Sequence, residues 1–153
     1  MKLNYWIAII IGLIVMFGLL SVARAEVIPP DNLWQGLVAE DTMGDYDSYV
    51  LIASIVYNRL SKGMGCGIVA LKRNNLEDFV KREVRYVKAK YGKDTEALAK
   101  EAVRVVFKQG VNTACSATHY EHTRVYGKPY WADSLEVVKV VSEGSIKEIT
   151  CWK

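Results

Sequence analysis

Among the acidic residues of this chain, Glu40 has the surroundings best suited to proton transfer. It ends a short apolar stretch, Leu37-Val38-Ala39, and a break containing Gly44 follows it. A carboxyl in that position is partly desolvated, which favours the protonated form that a general acid must hold. The competing reading is a helix-end carboxylate in a surface ion pair, the commoner fate of such groups. Most of the other acids stand beside Lys or Arg on outward positions.

A second chemically rich stretch begins after residue 115. Residues 116–122 are short and rich in Thr and Tyr, which suits a strand. Side chains alternate on a strand, so Thr118, Tyr120 and His122 share one face, and Ala117, His119 and Glu121 the other. Hydroxyl, phenol and imidazole in a row make a hydrogen-bonding surface, and Tyr130 and Trp131 follow shortly. Aromatic rings beside such groups suit a carbohydrate groove, where a ring covers the apolar face of a sugar. The alternative is that these rings only pack the sheet onto the body. The same alternation argues against a metal centre at His119-Tyr120-Glu121-His122, because the two histidines point to opposite faces. No cofactor is expected. There is no Gly-rich phosphate loop, and Ser54 and Ser61 have no neighbouring histidine with which to build a nucleophilic triad.

The elements that must position these residues are legible from spacing. Asp31 or Asn32 can cap a short helix over 32–41, carrying Leu33, Trp34, Leu37 and Val38 inward. After Gly44, Asp45 caps a second helix in which Tyr49, Ile52, Ala53, Val56, Tyr57 and Leu60 form one buried stripe. Gly63 and Gly65 end it. A third helix starts at Asn75, with Leu76, Phe79, Val80, Val84 and Val87 inward, and closes at Gly92. A fourth opens at Asp94, with Leu98, Ala102, Val105 and Val106 inside and Gly110 as its stop. Residues 137–141 and 146–152 are β-branched runs flanking Glu143-Gly144-Ser145, a predicted hairpin. The class is α+β: a helical body with a small C-terminal antiparallel sheet. If 116–122 runs antiparallel to 146–152, Cys115 and Cys151 become neighbours and can pair, leaving Cys66 as the odd thiol.

Residues 5–22 are apolar apart from Ser21, with Lys2 before them and Ala23-Arg24-Ala25 after. A basic start, an apolar run and small residues three and one before a cut site predict a secretory signal cleaved after Ala25. An uncleaved membrane anchor is the rival, since the run is almost long enough to span a bilayer. Both readings put residues 26–153, a single domain, outside the cytoplasm, where a disulfide is permitted. The 153-residue chain holds 20 Lys and Arg against 17 Asp and Glu. Lys2 and Arg24 are the charged residues of the leader, so 18 basic groups remain against 17 acidic ones and the net charge falls to +1. That near-neutrality speaks against a nucleic-acid partner, which requires a strongly basic surface. The cluster Lys81, Arg82, Arg85, Lys88, Lys90 and Lys93 reads as a solvated helix face, or as an attraction to an anionic envelope surface.

Several segments together resemble one family. Glu40-Asp41-Thr42-Met43-Gly44-Asp45-Tyr46-Asp47, running into Val50-Leu51-Ile52-Ala53-Ser54-Ile55-Val56-Tyr57-Asn58-Arg59, is similar to the opening motif of cell wall hydrolases of the SleB/CwlJ type. In that motif a Glu and a Gly-containing turn precede an apolar helix ending in Asn-Arg. Cys66-Gly67-Ile68-Val69 resembles the family's Cys-Gly-Val-Val. Ala117-Thr118-His119-Tyr120 and Pro129-Tyr130-Trp131-Ala132 resemble its Ala-Thr-His-Tyr and Pro-x-Trp-Ala signatures. The likeness covers roughly residues 33–152. It implies a lysozyme- or lytic-transglycosylase-like domain, acting as a monomer, that cleaves the MurNAc–GlcNAc β-1,4 bond of peptidoglycan with Glu40 as acid and base. Thr118, Tyr120, His122 and Asp45 would bind the sugar and Tyr130 and Trp131 would stack on it; with Glu40 alone the sugar's own O6 attacks, and if Asp45 or Asp47 lies across the groove, water attacks instead. The chain departs from the family where a second Glu is usual, because Gly44 stands there. It also lacks the Gln-Phe-Ser-Trp-like stretch and the Asp-Pro-Thr-Gly-Gly run. Those departures leave two alternatives: a glycan-binding module that has lost catalysis, and an amidase acting on the stem peptide.

Overall fold

A computed structural model of the chain describes residues 26–109, 116–121, 123–143 and 147–153. The order of elements is α1 (Leu33–Glu40), α2 (Tyr46–Ser61), a 3-10 turn (Val69–Lys72), α3 (Leu76–Tyr91) and α4 (Thr95–Lys108). There follow β1 (His119–Glu121), the single-turn α5 (Thr123–Tyr126), a second 3-10 turn (Tyr130–Ser134), β2 (Val137–Glu143) and β3 (Lys147–Trp152). Four helices and a three-stranded antiparallel sheet make an α+β fold, as the spacing predicts.

The local signals act where they stand in the chain. The Asp45 carboxylate accepts the Ser48 backbone N–H at 2.9 Å, and Asp94 does the same for Ala97 at 3.1 Å. Each satisfies one of the orphan donors at a helix start. Asn32 and Asn75 occupy the N-terminal positions of α1 and α3 without such a bond. Gly92 ends α3 with φ +66°, a left-handed value that suits a residue with no Cβ.

Helix α2 departs from the single stripe expected of it. Tyr49, Ile52, Ala53 and Val56 pack with Leu33, Leu37 and Val38 of α1 and with Ala99, Ala102 and Val106 of α4. Leu51 and Ile55, on another side of the same helix, form a second cluster with Ala117, Ile149 and Cys151 of the sheet region. A helix gripped from two sides needs two apolar faces, which is why 50–56 reads as a nearly continuous apolar run. Burial of each large aliphatic side chain contributes about 1.5–3 kcal/mol.

The sheet order is β1-β3-β2, with β3 central and both neighbours antiparallel to it. His119 lies opposite Trp152, Tyr120 opposite Cys151 and Glu121 opposite Thr150. The antiparallel relation behind the expected Cys115–Cys151 bridge is therefore present, but Cys115 lies outside the described residues, as does Gly110. The strand is also shorter than 116–122. Among the described residues no helix is long and apolar enough to cross a membrane. The apolar run 5–22 lies outside them.

The basic face of α3 is solvated. Lys81 pairs with Glu77 at 2.6 Å, Arg82 with Glu83 at 3.2 Å and Lys88 with Asp94 at 3.0 Å, all on exposed side chains except that of Glu83, which is half-buried. Such pairs contribute little to stability.

Candidate functional site

A cleft of about 560 Å³ opens between the end of α1, the end of α2, the 66–73 segment and β1. Glu40, Arg59, Cys66, Arg73, Thr118, His119, Tyr120, Glu121, Tyr126 and Trp131 are among the residues that line it. Glu40 is half-buried there, at the last position of α1. The Tyr120 hydroxyl donates to Glu40 Oε2 at 3.2 Å. Tyr120 itself packs against both apolar clusters. Burial above all, then the charge of Glu40, holds the Tyr120 phenol well above its ordinary range, with a smaller push from Glu121. A phenol kept protonated is a permanent donor, so Tyr120 fixes one oxygen of the Glu40 carboxyl in place.

The cleft's two walls are sewn together by the end of α2. Asn58 Nδ2 donates to the Ala117 carbonyl at 2.9 Å. Arg59 donates from Nε to the Gly65 carbonyl at 2.7 Å and from its NH1 nitrogen to the Thr118 carbonyl at 3.0 Å. These bonds tie the end of α2 to the Gly65 loop six residues on and to the residues just before β1, 59 positions on, and they use carbonyls that would otherwise be left to water. Gly67 makes the arrangement feasible. Its φ is +86°, and a Cβ there would stand 2.6 Å from Arg59 Nε. The Asn-Arg, Cys-Gly and Ala-Thr-His-Tyr motifs thus meet around one guanidinium.

An aromatic stack forms the other wall. His119 and Trp152, cross-strand partners, share a face of the sheet. Trp131, from the second 3-10 turn, lies 5.4 Å from the His119 ring and 5.3 Å edge-on from Trp152, measured between centroids. Trp152 is buried and anchors the stack, while Trp131 stays half-exposed toward the cleft. The His119 imidazole lies within 2.9 Å of Thr118 Oγ1 through its Nδ1. Partial burial, then the charges of Arg59 and Lys62, push its pKa below the ordinary value.

Of the residues singled out by sequence, Glu40, Thr118, Tyr120 and Trp131 converge on the cleft. His122 lies outside the described residues. Tyr130 is not among the lining residues and is 89% exposed, so the outward side of the 3-10 turn takes it away from the groove that Trp131 borders. Asp45, a candidate for binding the sugar or for facing Glu40, does not line the cleft either: its carboxylate caps α2. No side chain fits at Gly44 without displacing its neighbours. A Cβ at Gly44 would sit 2.6 Å from Tyr49 Cε1 and 2.9 Å from the Asp41 carbonyl oxygen. Tyr49 occupies that space, with its hydroxyl donating to the Asp41 carbonyl at 2.9 Å.

Two acidic and basic groups were not foreseen from sequence. Glu121 lines the cleft although strand alternation puts it on the face opposite Tyr120: β1 is a short edge strand, and His119, Tyr120 and Glu121 all border the opening. Arg73 lines it from the end of the first 3-10 turn. The alternation of side chains was a sound guide to faces and a poor one to which of them meets solvent.

No family model, no curated protein and no solved structure matches the chain.

Proposed function

We propose that this protein cleaves peptidoglycan glycan strands at the MurNAc–GlcNAc β-1,4 bond, with Glu40 as general acid and then general base. The observation that carries this reading is the pairing, in one cleft, of a half-buried carboxyl oriented by a buried phenol with an indole wall 5.3 Å from its buried anchor. Glu40 would protonate the leaving oxygen, and as carboxylate it would then take a proton from the incoming hydroxyl. Trp131 would cover a sugar face, and Thr118, Tyr120 and the His119 ring would border the sugar's hydroxyls. The resemblance to SleB/CwlJ-type hydrolases supports the same reaction, and an exported domain, with its leader cleaved or kept as an anchor, would meet this substrate.

The position of a second acid selects the product. With Glu40 alone, the muramyl O6 hydroxyl attacks and an anhydro end forms. With Glu121 holding a water across the bond, ordinary hydrolysis follows. The inactive glycan-binding reading draws support from the exclusion of an acid at position 44. The stem-peptide amidase reading draws less. Cys66 lines the cleft, but burial pushes its thiol above the ordinary value, away from the thiolate that a nucleophile needs.

The test is digestion of purified peptidoglycan by wild type and Glu40→Gln, with products resolved by mass spectrometry. Loss of about 10²–10⁴-fold in rate, at unchanged melting temperature, is the expected outcome. Anhydro ends identify a transglycosylase and reducing ends a hydrolase. Undiminished cleavage by Glu40→Gln overturns the assignment, and a wild type that binds glycan without cutting it establishes the inactive module.

A further inference from the structure

The cleft contains two arginines in different situations. Arg59 is engaged by the Gly65 and Thr118 carbonyls and is part of the framework. Arg73 is exposed and lines the same opening. Its guanidinium stands 5.6 Å from the centroid of the Phe79 ring, and among the described residues no carboxylate is placed to pair with it. Arg82 lies on the same ring at 5.3 Å.

Two exposed apolar side chains also line the cleft. Val69 and Tyr126 both line it and are 72% and 75% exposed, large values for side chains that lose free energy in water. A cationic fork in a cleft that also exposes aliphatic and aromatic surface suits a ligand that is anionic at one point and apolar elsewhere. The aromatic support matters as well, since a guanidinium already resting on a ring loses less freedom on binding.

We propose that Arg73 is a specificity-determining residue that binds a carboxylate carried by the muramyl unit of the substrate, so that the Arg73 side of the cleft forms an acid-recognising subsite. This proposal rests on the glycan-strand reading given above. Two sources of the carboxylate share one chemistry: the lactyl group of a strand stripped of peptide, and the acidic residues of an attached peptide. Neutral chitin oligomers carry neither.

The experiment is equilibrium binding, by NMR or calorimetric titration, of three soluble probes. They are a disaccharide–peptide, the peptide-free muramyl disaccharide and a chitin oligomer of equal length, each with wild type, Arg73→Gln and Arg73→Lys. Arg73→Gln is expected to weaken binding of one or both acidic probes by about tenfold and to leave chitin binding within twofold. Arg73→Lys, which keeps the charge and loses the fork, should recover part of the loss. A loss confined to the peptide-bearing probe assigns the carboxylate to the peptide; a loss on the stripped disaccharide assigns it to the lactyl group. Equal loss on chitin, or no loss on any probe, overturns the subsite and leaves the glycan-strand reading standing. Failure of the wild type to bind any of the three overturns both.

Discussion

The two ends of helix α2 carry similar polar residues and put them to opposite uses. At the N-terminal end Asp45 caps the helix, Ser48 Oγ donates to Asp41 Oδ2 at 2.8 Å, and the Tyr49 hydroxyl reaches the Asp41 carbonyl. Every one of these bonds closes over residues at most eight positions apart, and the space between them is full. At the C-terminal end Arg59 makes one local bond, to the Gly65 carbonyl, but Asn58 and Arg59 also reach carbonyls 59 residues away. Long-range bonds hold segments side by side without filling the gap between them, and that gap is the cleft. A polar residue's type therefore says less about function than the sequence distance to its partner.

The comparison can be broken most forcefully at its packed end. Gly44→Ala, which adds a Cβ within 2.6 Å of the Tyr49 ring, is expected to lower unfolding free energy by about 3 kcal/mol, read by chemical denaturation. Gly44→Glu, which would add a carboxylate at this turn, should be at least as destabilised and should show no gain in the proposed cleavage per folded molecule. A stable, more active Gly44→Glu would mean that Tyr49 yields and that the cleft extends to this end of α2.

At the open end, Arg59→Gln removes both of the guanidinium's bonds to backbone carbonyls. The expected loss is about 1–2 kcal/mol of stability, smaller than for Gly44→Ala. Cleavage of peptidoglycan should fall with it in assays on the folded fraction, because the Gly65 loop and the start of β1 lose their shared anchor. Unchanged cleavage would show that the walls hold without it.

The smallest effect expected is a titration. Burial and neighbouring positive charge depress the pKa of His119 in the fold below its unfolded value. The stability that comes from keeping this imidazole neutral is present above the unfolded pKa, near 6.5, and is lost as pH falls through the folded value. Denaturation midpoints of wild type should therefore decline below about pH 6.5 more steeply than those of His119→Gln. An NMR titration should place the His119 midpoint lower than that of an unfolded peptide.

Much of this was legible in the chain itself. Asp45, Gly92 and Asp94 act at the helix ends where they stand, because capping is a local bond between residues three or four apart. The hydrophobic spacing located all four principal helices and the final hairpin. Glu40 was marked by its apolar neighbours, and Trp131 by its company of polar and aromatic residues. The second face of α2 was hidden because Leu51 and Ile55 are buried by the sheet, which is assembled from residues more than sixty positions later.

Sequence alone determined the elements and the residue types available to the site, since helix periodicity, caps and strand alternation are properties of neighbours along the chain. Only the tertiary structure decided which of those residues share a cleft. It kept Asp45 out of the opening, turned Tyr130 out to solvent, and brought Arg73 and Glu121 to the cleft that Glu40 lines. The physical reason is that hydrogen bonds and packing between distant segments depend on distances in space, which spacing along the chain does not encode.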